Sequence, residues 1–542
     1  MQRLDENPVQ VGSESEQGWC THEGKYGMNS RRGRGWRSLD GMGPSQTAQP
    51  GTRKRHAPSR AGRRRFLQGS AALGVGLALP SCAKSVPVGD GSADRDLQTR
   101  RLRIAPGSAE LRGSAHGRFP IWGYNGTVPG PELRVRQGEP VRVVVDNGLE
   151  QGTTIHWHGV RVPHAMDGVP YVTQEPIGPG ERFVYEFTPP DAGTFWYHPH
   201  MHSEEQVGRG IYGALIVEER EPPAVDRDQV WLLDDWRFTT DGDELAGDFG
   251  NQHDRMHGGR VGNHVTINGR PPAPLRLQPG ERVRLRLINA ANARIFALGF
   301  GGHRPWVVAR DGQPCVPVRL DADEPLLLAS AMRVDLILDG DGEPGSPHVV
   351  RDTFYEGLEY DLTRIVYETD RPLRPVMDRD PPALPGNPLA EPDVARARRH
   401  VVTLDGGMMG DMRGLVVDGI ASATVPDMGA QQGGLVWGMN GVAAARHDLE
   451  PALTLARGEA HVLRIDNRSV WHHPMHLHGH SFRVIARDGQ PTEHREWQDT
   501  VLVNPRETVD IAFVADNPGD WMFHCHILEH LAGGMMSLVR VT

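Results

Sequence analysis

The sequence predicts an all-β protein built from three copies of one β-sandwich unit. A segment recurs three times, with an alternating apolar strand, a Gly-Glu turn and a second alternating strand that ends in Asn. The Asn follows the Gly by nine positions in each copy, in Gly138 to Asn147, Gly280 to Asn289 and Gly458 to Asn467. Alternation with a period of two is typical of half-buried strands, and short strands separated by turn signals indicate sandwiches. The predicted units span residues 95–220, 225–370 and 395–542.

Length and charge limit the class of protein. The chain has 542 residues, enough for about two to four domains. The first 83 residues carry 13 Lys and Arg against 6 Asp and Glu, a balance of +7, which leaves −17 on the rest because the total is −10. An acidic body argues against nucleic acid as a partner. Four cysteines in a chain of this length do not indicate a disulfide framework.

The N-terminal segment has the pattern of an export signal. Residues 1–58 lack apolar periodicity, which predicts either disorder or a start codon assigned too early. Within residues 59–83, Arg63-Arg64-Arg65 precedes a short apolar run, as in a twin-arginine signal. The run is too short for a permanent membrane span. The alternative is a surface Arg cluster before a hydrophobic helix. Leu79-Pro-Ser-Cys82 also resembles a lipoprotein processing site, although Pro80 departs from that pattern, and it would add a lipid anchor at Cys82. We expect the body to act in the periplasm or at the cell surface.

A cysteine between two histidines lies near the C-terminus. His524-Cys525-His526 is followed by His530 and Met535. In an extended strand, alternate side chains point to opposite faces, so both imidazoles would lie on one face and the thiolate on the other. Two metal sites would then share one short covalent bridge. Two His, one Cys and a weak axial Met are the ligand set of a blue-copper electron-transfer centre, because soft sulfur donors favour copper.

The repeat also places histidine pairs, but only in the outer two units. Nine and eleven residues after the closing Asn, these units have a His-x-His pair, whereas the middle unit has Leu298 and Phe300. A second pair follows a glycine by five residues later in the same two units. A lone pair is more often a surface or core feature, but four pairs at equivalent positions indicate ligands. The eight histidines are His156, His158, His198, His200, His476, His478, His524 and His526.

Strand parity sorts these residues into two sites. Each pair points to one face, so the eight histidines converge between the first and third units, and eight ligands suit three ions. His473 lies three residues before His476 and therefore on the face where Cys525 points. The first unit has Pro199, Glu204 and Arg209 where the third has Cys525, His530 and Met535. Zinc would use a closed tetrahedral set or three ligands with an open position, and neither uses all twelve residues.

These residues resemble the three-domain multicopper oxidases, the family of laccases, bilirubin oxidases and bacterial cuprous oxidases. The resemblance covers roughly residues 100–542 and includes His-Trp-His-Gly, His-Pro-His, His-Pro-Met-His-Leu-His-Gly and His-Cys-His. It implies three cupredoxin-like Greek-key β-sandwich domains and four copper ions. It implies a type 1 copper at His473, Cys525, His530 and Met535, a type 2 copper at His156 and His476, and a type 3 pair at His158, His198, His200, His478, His524 and His526.

The resemblance also implies a reaction. A phenol-like or other small donor would give single electrons through the edge of His473 or His530, and Cys525 would pass them towards the histidine cluster, where dioxygen is reduced to water. Asp167, nine residues after His158, and Glu529, next to His530, resemble acidic residues that supply protons in the family. The alternative for each is a solvated or capping carboxylate. We expect a monomer.

Other functions stay open. Met408, Met409 and Met412 precede the third unit, and because thioethers bind Cu(I), they are consistent with a cuprous oxidase that serves copper tolerance. The cluster lacks the long Met-rich run of that subgroup, so packing is the competing interpretation. An exported copper-binding protein without turnover is expected to lose ligands, and all twelve are present. Two-domain nitrite reductases share the type 1 chemistry but not the three repeats.

Overall fold

Strands make up nearly all of the secondary structure, so the predicted all-β class is confirmed. The structure is a computed structural model that describes residues 99–343, 345–368, 372–375, 380–410, 415–418 and 434–542. The predicted segments 1–58 and 59–83, with Cys82, and also Met412, lie outside the described residues. The helices within these ranges are short: α1 (Ser203–Gln206), α2 (Gln252–Met256), α3 (Leu528–Ala532) and two single 3-10 turns, Ser114–His116 and His164–Met166.

The first unit consists of two four-stranded sheets. Its strands are β1 (Thr99–Ala109), β2 (Phe119–Tyr124), β3 (Leu133–Arg136), β4 (Val141–Asn147), β5 (His156–His158), β6 (Arg182–Phe187), β7 (Gly193–His198) and β8 (Gly213–Glu218). One sheet has the order β2-β1-β4-β6 and the other β3-β8-β7-β5. Both sheets contribute to one apolar core, which includes Val143, Trp157 and Leu215.

The second unit has a six-stranded and a five-stranded sheet. Its strands are β9 (Arg227–Trp236), β10 (His264–Ile267), β11 (Leu275–Leu277), β12 (Arg282–Asn289), β13 (Phe296–Gly299), β14 (Trp306–Arg310), β15 (Gln313–Arg319), β16 (Leu326–Leu328), β17 (Arg333–Asp339), β18 (Pro347–Asp352) and β19 (Tyr360–Tyr367). The orders are β10-β9-β12-β17-β14-β15 and β11-β19-β18-β13-β16. Leu285, Phe296 and Leu336 lie in the core that the two sheets share.

The third unit has a nine-stranded and a five-stranded sheet. Its strands are β20 (Arg398–Gly406), β21 (Val416–Asp418), β22 (Trp437–Met439), β23 (Val442–Ala444), β24 (Leu453–Leu455), β25 (Ala460–Asn467), β26 (His473–Leu477), β27 (Phe482–Arg487), β28 (Gln490–Pro491), β29 (Trp497–Gln498), β30 (Thr500–Val503), β31 (Thr508–Val514), β32 (Gly519–Cys525) and β33 (Met536–Val541). The orders are β21-β23-β22-β20-β25-β31-β27-β28, with β29 beside β27, and β24-β33-β32-β26-β30.

The closing strand of the sequence repeat has the same role in every unit. β4, β12 and β25 each pair in parallel with the first strand of their unit, β1, β9 and β20. Each ends in the repeated asparagine, whose buried amide donates to two carbonyls of the following loops. A buried amide needs such partners, which explains the recurrence of Asn147, Asn289 and Asn467. The boundaries at 95–220, 225–370 and 395–542 stay predictions.

A further apolar cluster joins the three units. It contains Trp196 of the first, Ile288 of the second and Leu538 of the third, all buried. The cluster brings β7 of the first unit next to β32 of the third, and this contact positions the histidines. Among the helices that the structure describes, none has the length and apolar character that crossing a bilayer requires.

Candidate metal centres

Two pairs of neighbouring strands present the histidines. β5 runs antiparallel to β7, with His156 opposite His198. β26 runs antiparallel to β32, with His476 opposite His524 and Met475 opposite Cys525. Because side chains alternate along a strand, Cys525 points away from His524 and into the core of the third unit. β32 therefore contributes donors to two sites, one on each of its faces.

The first site lies on the core side of β32. The Sγ atom of Cys525 is 3.5 Å from Nδ1 of His473 and 3.6 Å from Nδ1 of His530, and all three side chains are buried. The two Nδ1 atoms are 3.1 Å apart. Nε2 of His473 is hydrogen-bonded to Ser469 Oγ at 2.8 Å, and Nε2 of His530 is hydrogen-bonded to the carbonyl of His257 at 2.6 Å. Three donor atoms therefore converge on one point, as a metal ion requires.

Met535 lies beside this site. It is fully buried in the same core cluster as Cys525, and its carbonyl accepts the Cys525 N–H at 3.1 Å. The chain reaches it directly after α3, the helix that carries His530. A thioether, two imidazoles and a thiol, all buried, are a set of donors that favours copper.

The second site holds all eight paired histidines. Their rings are buried, and His156 stacks on His478 with ring centroids 3.9 Å apart, as His158 stacks on His476 at 3.7 Å. The first and third units therefore meet ring to ring. Nitrogens within 4.8 Å of one another form three all-histidine groups among the described residues: His156, His158 and His476; His158, His198 and His526; and His200, His478 and His524.

The unpaired nitrogens show that this cluster fits metal ions. Nε2 of His156, His476 and His526 is buried without a hydrogen-bond partner. Nδ1 of His156 and of His476 instead donates to the carbonyls of Asp167 and Asp499, each at 2.9 Å. A buried polar atom without a partner is costly, and a metal-ligating histidine typically donates its other N–H to the protein in this way. The free lone pairs are therefore available to bind cations, and imidazole donors suit copper.

Comparison with known proteins gives the family. Three models, each described as multicopper oxidase, match residues 109–222, 227–348 and 424–542 in order. Multicopper oxidase MmcO of Mycobacterium tuberculosis is 30% identical over 531 residues, covering 87% of this chain and 95% of that protein. This chain belongs to the multicopper oxidases. It is an oxidoreductase, and copper is its cofactor.

Further relatives agree with this family. Laccase-2 of Fomitopsis schrenkii is 30% identical over 526 residues, covering 86% of this chain and 93% of that protein. The crystal structure of a multi-copper oxidase from Pseudomonas Thermotolerans matches with a TM-score of 0.69 and 34% identity, covering 82% of this chain and all of that one, 100%. The cupredoxin-like fold that the sequence predicted is thus confirmed for this multicopper oxidase.

Burial determines the protonation of the donors in this multicopper oxidase. Burial and the neighbouring imidazoles lower the pKa of most histidines of the two candidate sites well below the usual range, in His158, His198, His200, His473, His478, His524 and His526. Burial lowers the pKa of His530 to about 3 and raises the pKa of the Cys525 thiol. Neutral imidazoles keep their lone pairs for a metal, whereas a buried thiolate needs a bound cation.

Asp167 lies against the histidine cluster. Its Oδ2 accepts a hydrogen bond from Nδ1 of His478 at 2.8 Å, and its Oδ1 is 3.2 Å from Nδ1 of His156. The side chain is fully buried. Asp167 is therefore not a solvated carboxylate. It contacts one histidine from each outer unit and can orient both rings.

Glu529 has different neighbours. Its carboxylate accepts from the Arg260 N–H at 3.0 Å and from the Asn292 side chain at 2.9 Å, and both partners belong to the second unit. Burial raises the pKa of Glu529 to about 7, against the opposing effect of these hydrogen bonds. The residue can therefore hold a proton near neutral pH at the contact between the second and third units.

The sequence did not predict a buried acidic group on the other side of the histidine cluster. Oδ1 of Asp499 is 3.3 Å from Nε2 of His158 and 3.4 Å from Nδ1 of His476. Burial raises the pKa of Asp499, but the guanidinium of Arg333 outweighs burial and holds this pKa well below its usual range. The only sequence signal is a charged residue between two short strands, β29 and β30, and this signal does not indicate which residues Asp499 contacts.

The rings of the first site are less accessible than the sequence predicted. His473 and His530 are both 0% exposed, so in the part of the chain that the structure describes a donor does not reach either ring edge. Above His530 lies the half-buried His257. Its ring is 5.4 Å from that of Trp471 and stacks at 4.2 Å on the exposed His253. His253, His257 and Trp471 thus form an aromatic layer next to His530.

One of the three predicted methionines, Met408, borders the same layer. The carbonyl of Met408 accepts a hydrogen bond from Trp471 Nε1 at 3.0 Å. The side chain of Met408 is partly buried and packs against the core of the third unit. Met409 is 68% exposed. Met412 lies outside the described residues. The packing interpretation thus applies to Met408, whereas Met409 is available to solutes.

Proposed function

We propose that this multicopper oxidase takes single electrons from a phenol-like or other small donor and reduces dioxygen to water. The observation that supports this most strongly is the position of Cys525. Its thiol belongs to the first site, while the residues on either side of it, His524 and His526, belong to the histidine cluster. One covalent path therefore joins a site for single electrons to a site with room for several metal ions.

The donor sets support one assignment of the four copper ions. The thiol site would hold the type 1 copper, and His156 and His476, which have unpaired Nε2 atoms, would hold the type 2 copper. The two remaining all-histidine groups would hold the type 3 pair: His158, His198 and His526 for one ion, and His200, His478 and His524 for the other. His473, Cys525, His530 and Met535 are the residues of the type 1 site. Bound copper would supply the one-electron redox chemistry.

The chain itself supplies orientation and exclusion of water. Nδ1 of His524 donates to the Cys525 carbonyl at 2.9 Å, which fixes this ring next to the bridge. The ligand side chains are buried, so partly reduced oxygen would be kept from solvent until four electrons have arrived. Dioxygen, four electrons and four protons give two waters. Four single-electron transfers thus match one dioxygen, which is why one site for entry and a multinuclear site for reduction belong together.

Two carboxyl groups are proposed to handle the protons. Asp167 would hold the ring N–H of His478 and relay protons on the type 2 side of the cluster. Glu529, with a pKa of about 7, would carry a proton at its Oε atoms under neutral conditions, where an ordinary carboxyl is ionised. A general acid is most effective when its pKa lies near the working pH.

Oxygen uptake with two donors tests this function. We would compare Cu(I) with a methoxyphenol for the copper-loaded wild type, a Met408/Met409/Met412 triple alanine variant and a control, Val316→Ala, which removes an exposed apolar side chain of the second unit. Faster uptake with the phenol, unchanged in both variants, is the expected result. A preference for Cu(I) that is lost only in the triple variant would indicate a cuprous oxidase. Absence of uptake with either donor would indicate a copper-binding protein without turnover.

Export through the twin-arginine route is proposed from residues 59–83. Replacing Arg64 and Arg65 by Lys is expected to retain the protein in the cytoplasm, because the route recognises the arginine pair. Cell fractionation measures this directly.

Recovery of the Cys82→Ser variant in the same fraction as the wild type would exclude the lipid anchor. Light scattering would test the expected monomer.

A further inference from the structure

A buried ion pair connects the second unit to the histidine cluster. Arg333, the first residue of β17, is 0% exposed. Its NH1 donates to Oδ1 of Asp499 at 2.8 Å and its NH2 to Oδ2 at 2.5 Å. Two parallel bonds of this kind fix a carboxylate in orientation as well as in place. Among the described residues, the second unit contributes no donor to any candidate metal group. It therefore reaches the histidine cluster through the side chain of Arg333.

Asp499 carries the contact to the histidines. Its Oδ1 lies 3.3 Å from Nε2 of His158 and 3.4 Å from Nδ1 of His476. The same oxygen accepts from the hydroxyl of Thr500 at 2.9 Å, and that hydroxyl oxygen is 3.1 Å from each of the two ring nitrogens. One carboxylate oxygen thus orients one ring from the first unit and one from the third. These two rings belong to different proposed copper ions.

The surroundings of Arg333 suit a guanidinium and no other cation. Besides the carboxylate, its N–H groups donate to the carbonyls of Thr194 and Ala331, at 3.2 and 3.3 Å. An ammonium is a compact point charge and cannot reach all these acceptors at once. Asp311 secures the same arrangement through the backbone, since it accepts from the N–H groups of Arg333 and of Asp499, at 2.9 and 3.2 Å.

The His-Trp-His-Gly motif leaves room for this pair. Gly159 follows His158 directly and has a φ of +83°. A Cβ atom at this position would lie 2.2 Å from NH2 of Arg333 and 2.5 Å from Oδ2 of Asp499. Any larger residue would displace the ion pair. The motif glycine is therefore required by a side chain that comes from another unit.

We propose that Arg333 is a positioning residue of the histidine cluster, which holds Asp499 so that its carboxylate fixes the rings of His158 and His476. The role of the second unit is then to orient ligands that it does not itself provide. This inference rests on the proposed function for the assignment of the cluster to copper, but it concerns copper retention and geometry rather than turnover.

The experiment compares two buried arginines of the second unit. Arg333→Lys keeps the charge and removes the two-point contact. Arg284→Lys is the matched control, because Arg284 is equally buried but its carboxylate partners are Glu219 and Asp335. Asp499→Asn keeps the size of the side chain and removes its charge, and it answers the same question if Arg333→Lys does not fold. The double variant Arg333→Lys/Asp499→Asn tests whether the two residues act together.

Copper retention and spectroscopy are the readouts. We expect Arg333→Lys and Asp499→Asn to lose copper from the cluster to a chelator about 10–100-fold faster than the wild type, the range for residues that orient metal ligands. The paramagnetic resonance signal of the type 2 copper should change while the blue absorption of the thiolate site stays. The double variant should lose copper no faster than Asp499→Asn alone. Arg284→Lys should lower the melting temperature without changing either signal.

Two outcomes would overturn the inference. If folded Arg333→Lys and Asp499→Asn retain copper and the type 2 signal as the wild type does, the carboxylate does not position the rings. If Arg284→Lys changes the signals as much as Arg333→Lys, the effect reflects general stability. Arg333-dependent retention in a protein without oxygen uptake would support the inference and reject the proposed function. Oxygen uptake by the wild type, together with copper retention that does not depend on Arg333, would support the proposed function and reject the inference.

Discussion

The first and third units share a fold and two histidine pairs, yet only the third has a thiol site. In the third unit, β32 leads into α3 and supplies Cys525, His530 and Met535. The same path in the first unit, from β7 into α1, has Pro199, Glu204 and Arg209. Thr153 also stands three residues before His156, where the third unit has His473 before His476. Four side chains on one scaffold thus separate a unit with the thiol site and half of the histidine cluster from a unit with half of the cluster alone.

At the position that corresponds to Met535, Arg209 of the first unit makes charge and aromatic contacts. Arg209 pairs with Glu205 at 2.8 Å, and its guanidinium lies 4.6 Å from the ring centroid of Trp122 and 4.9 Å from that of Phe249. The carbonyl of Pro199 accepts from Nδ1 of His198 at 3.0 Å, and its side chain adds no donor for a metal. The histidine cluster thus depends on the fold that both units share, whereas the thiol site depends on single residues at the end of one strand.

The largest effect is expected when Cys525 is changed to Ser. The serine hydroxyl is a poor donor for copper, so the blue absorption should disappear. Turnover should fall by more than about 100-fold, because changes at residues that only orient the ligands typically cost about 10–100-fold. The cluster should keep its copper, because its histidines lie on the opposite face of β32. Copper analysis and oxygen uptake measure both. Loss of the cluster copper as well would show that the two sites are not independent.

A smaller effect is expected from Asp167→Asn. The amide keeps the size of the side chain but removes the charge that faces His478 and His156, so turnover should fall about 10–100-fold with the blue absorption unchanged. The control is Asp191→Asn, which is equally buried but pairs with Arg161. Steady-state rates with one donor compare the variants. Equal losses in both would remove Asp167 from the proton path.

A pH-dependent effect is expected from Glu529, which stands where the first unit has Ser203. Burial raises its folded-state pKa from 4.5 to about 7, so the folded protein holds a proton that the unfolded chain releases. The bound proton therefore adds to the free energy of unfolding, fully below pH 4.5 and by less and less as the pH rises to about 7. The contribution is about 3 kcal/mol at most. Glu529→Gln should remove that part of the pH dependence in copper-free protein. Urea unfolding midpoints at pH 5 and 8 test it, and an unchanged difference would contradict it.

The smallest effect is expected from Met535→Leu. Leucine keeps the volume and removes the weak axial donor, so the blue absorption should remain while the reduction potential of the type 1 copper rises, because the axial ligand tunes it. The rate should change by less than about tenfold, the factor that corresponds to 1.36 kcal/mol. Arg209→Leu, the matched change in the first unit, should alter neither. Redox titration compares the two, and an unchanged potential would separate Met535 from the site.

The sequence was sufficient for the fold and for the pairing of donors because both follow from local periodicity. The period-two strands and the repeated Asn predicted the three units. The spacing from His473 to His476 and strand parity at Cys525 predicted which donors share a face, and the structure brings His473 and Cys525 within 3.5 Å. These features depend on residues a few positions apart.

The rest depends on contacts between distant parts of the chain. Arg333 and Asp499 are 166 residues apart and meet only because β17 of the second unit faces the cluster. The carbonyl of His257, 273 residues before His530, covers the ring edge that was expected to be open. No periodicity predicts either contact, since each is set by how a loop or strand of one unit packs on another.

The ratio of donor oxidised to dioxygen consumed tests the division between the two sites most directly. A copper-loaded sample would be given a one-electron donor, with oxygen uptake and hydrogen peroxide recorded together. Because four single electrons are needed to form two waters, we expect four donor molecules per dioxygen and no peroxide. Two donor molecules per dioxygen, with accumulating peroxide, would contradict the proposed division between the two sites. The histidine cluster would then not complete the reduction of dioxygen to water.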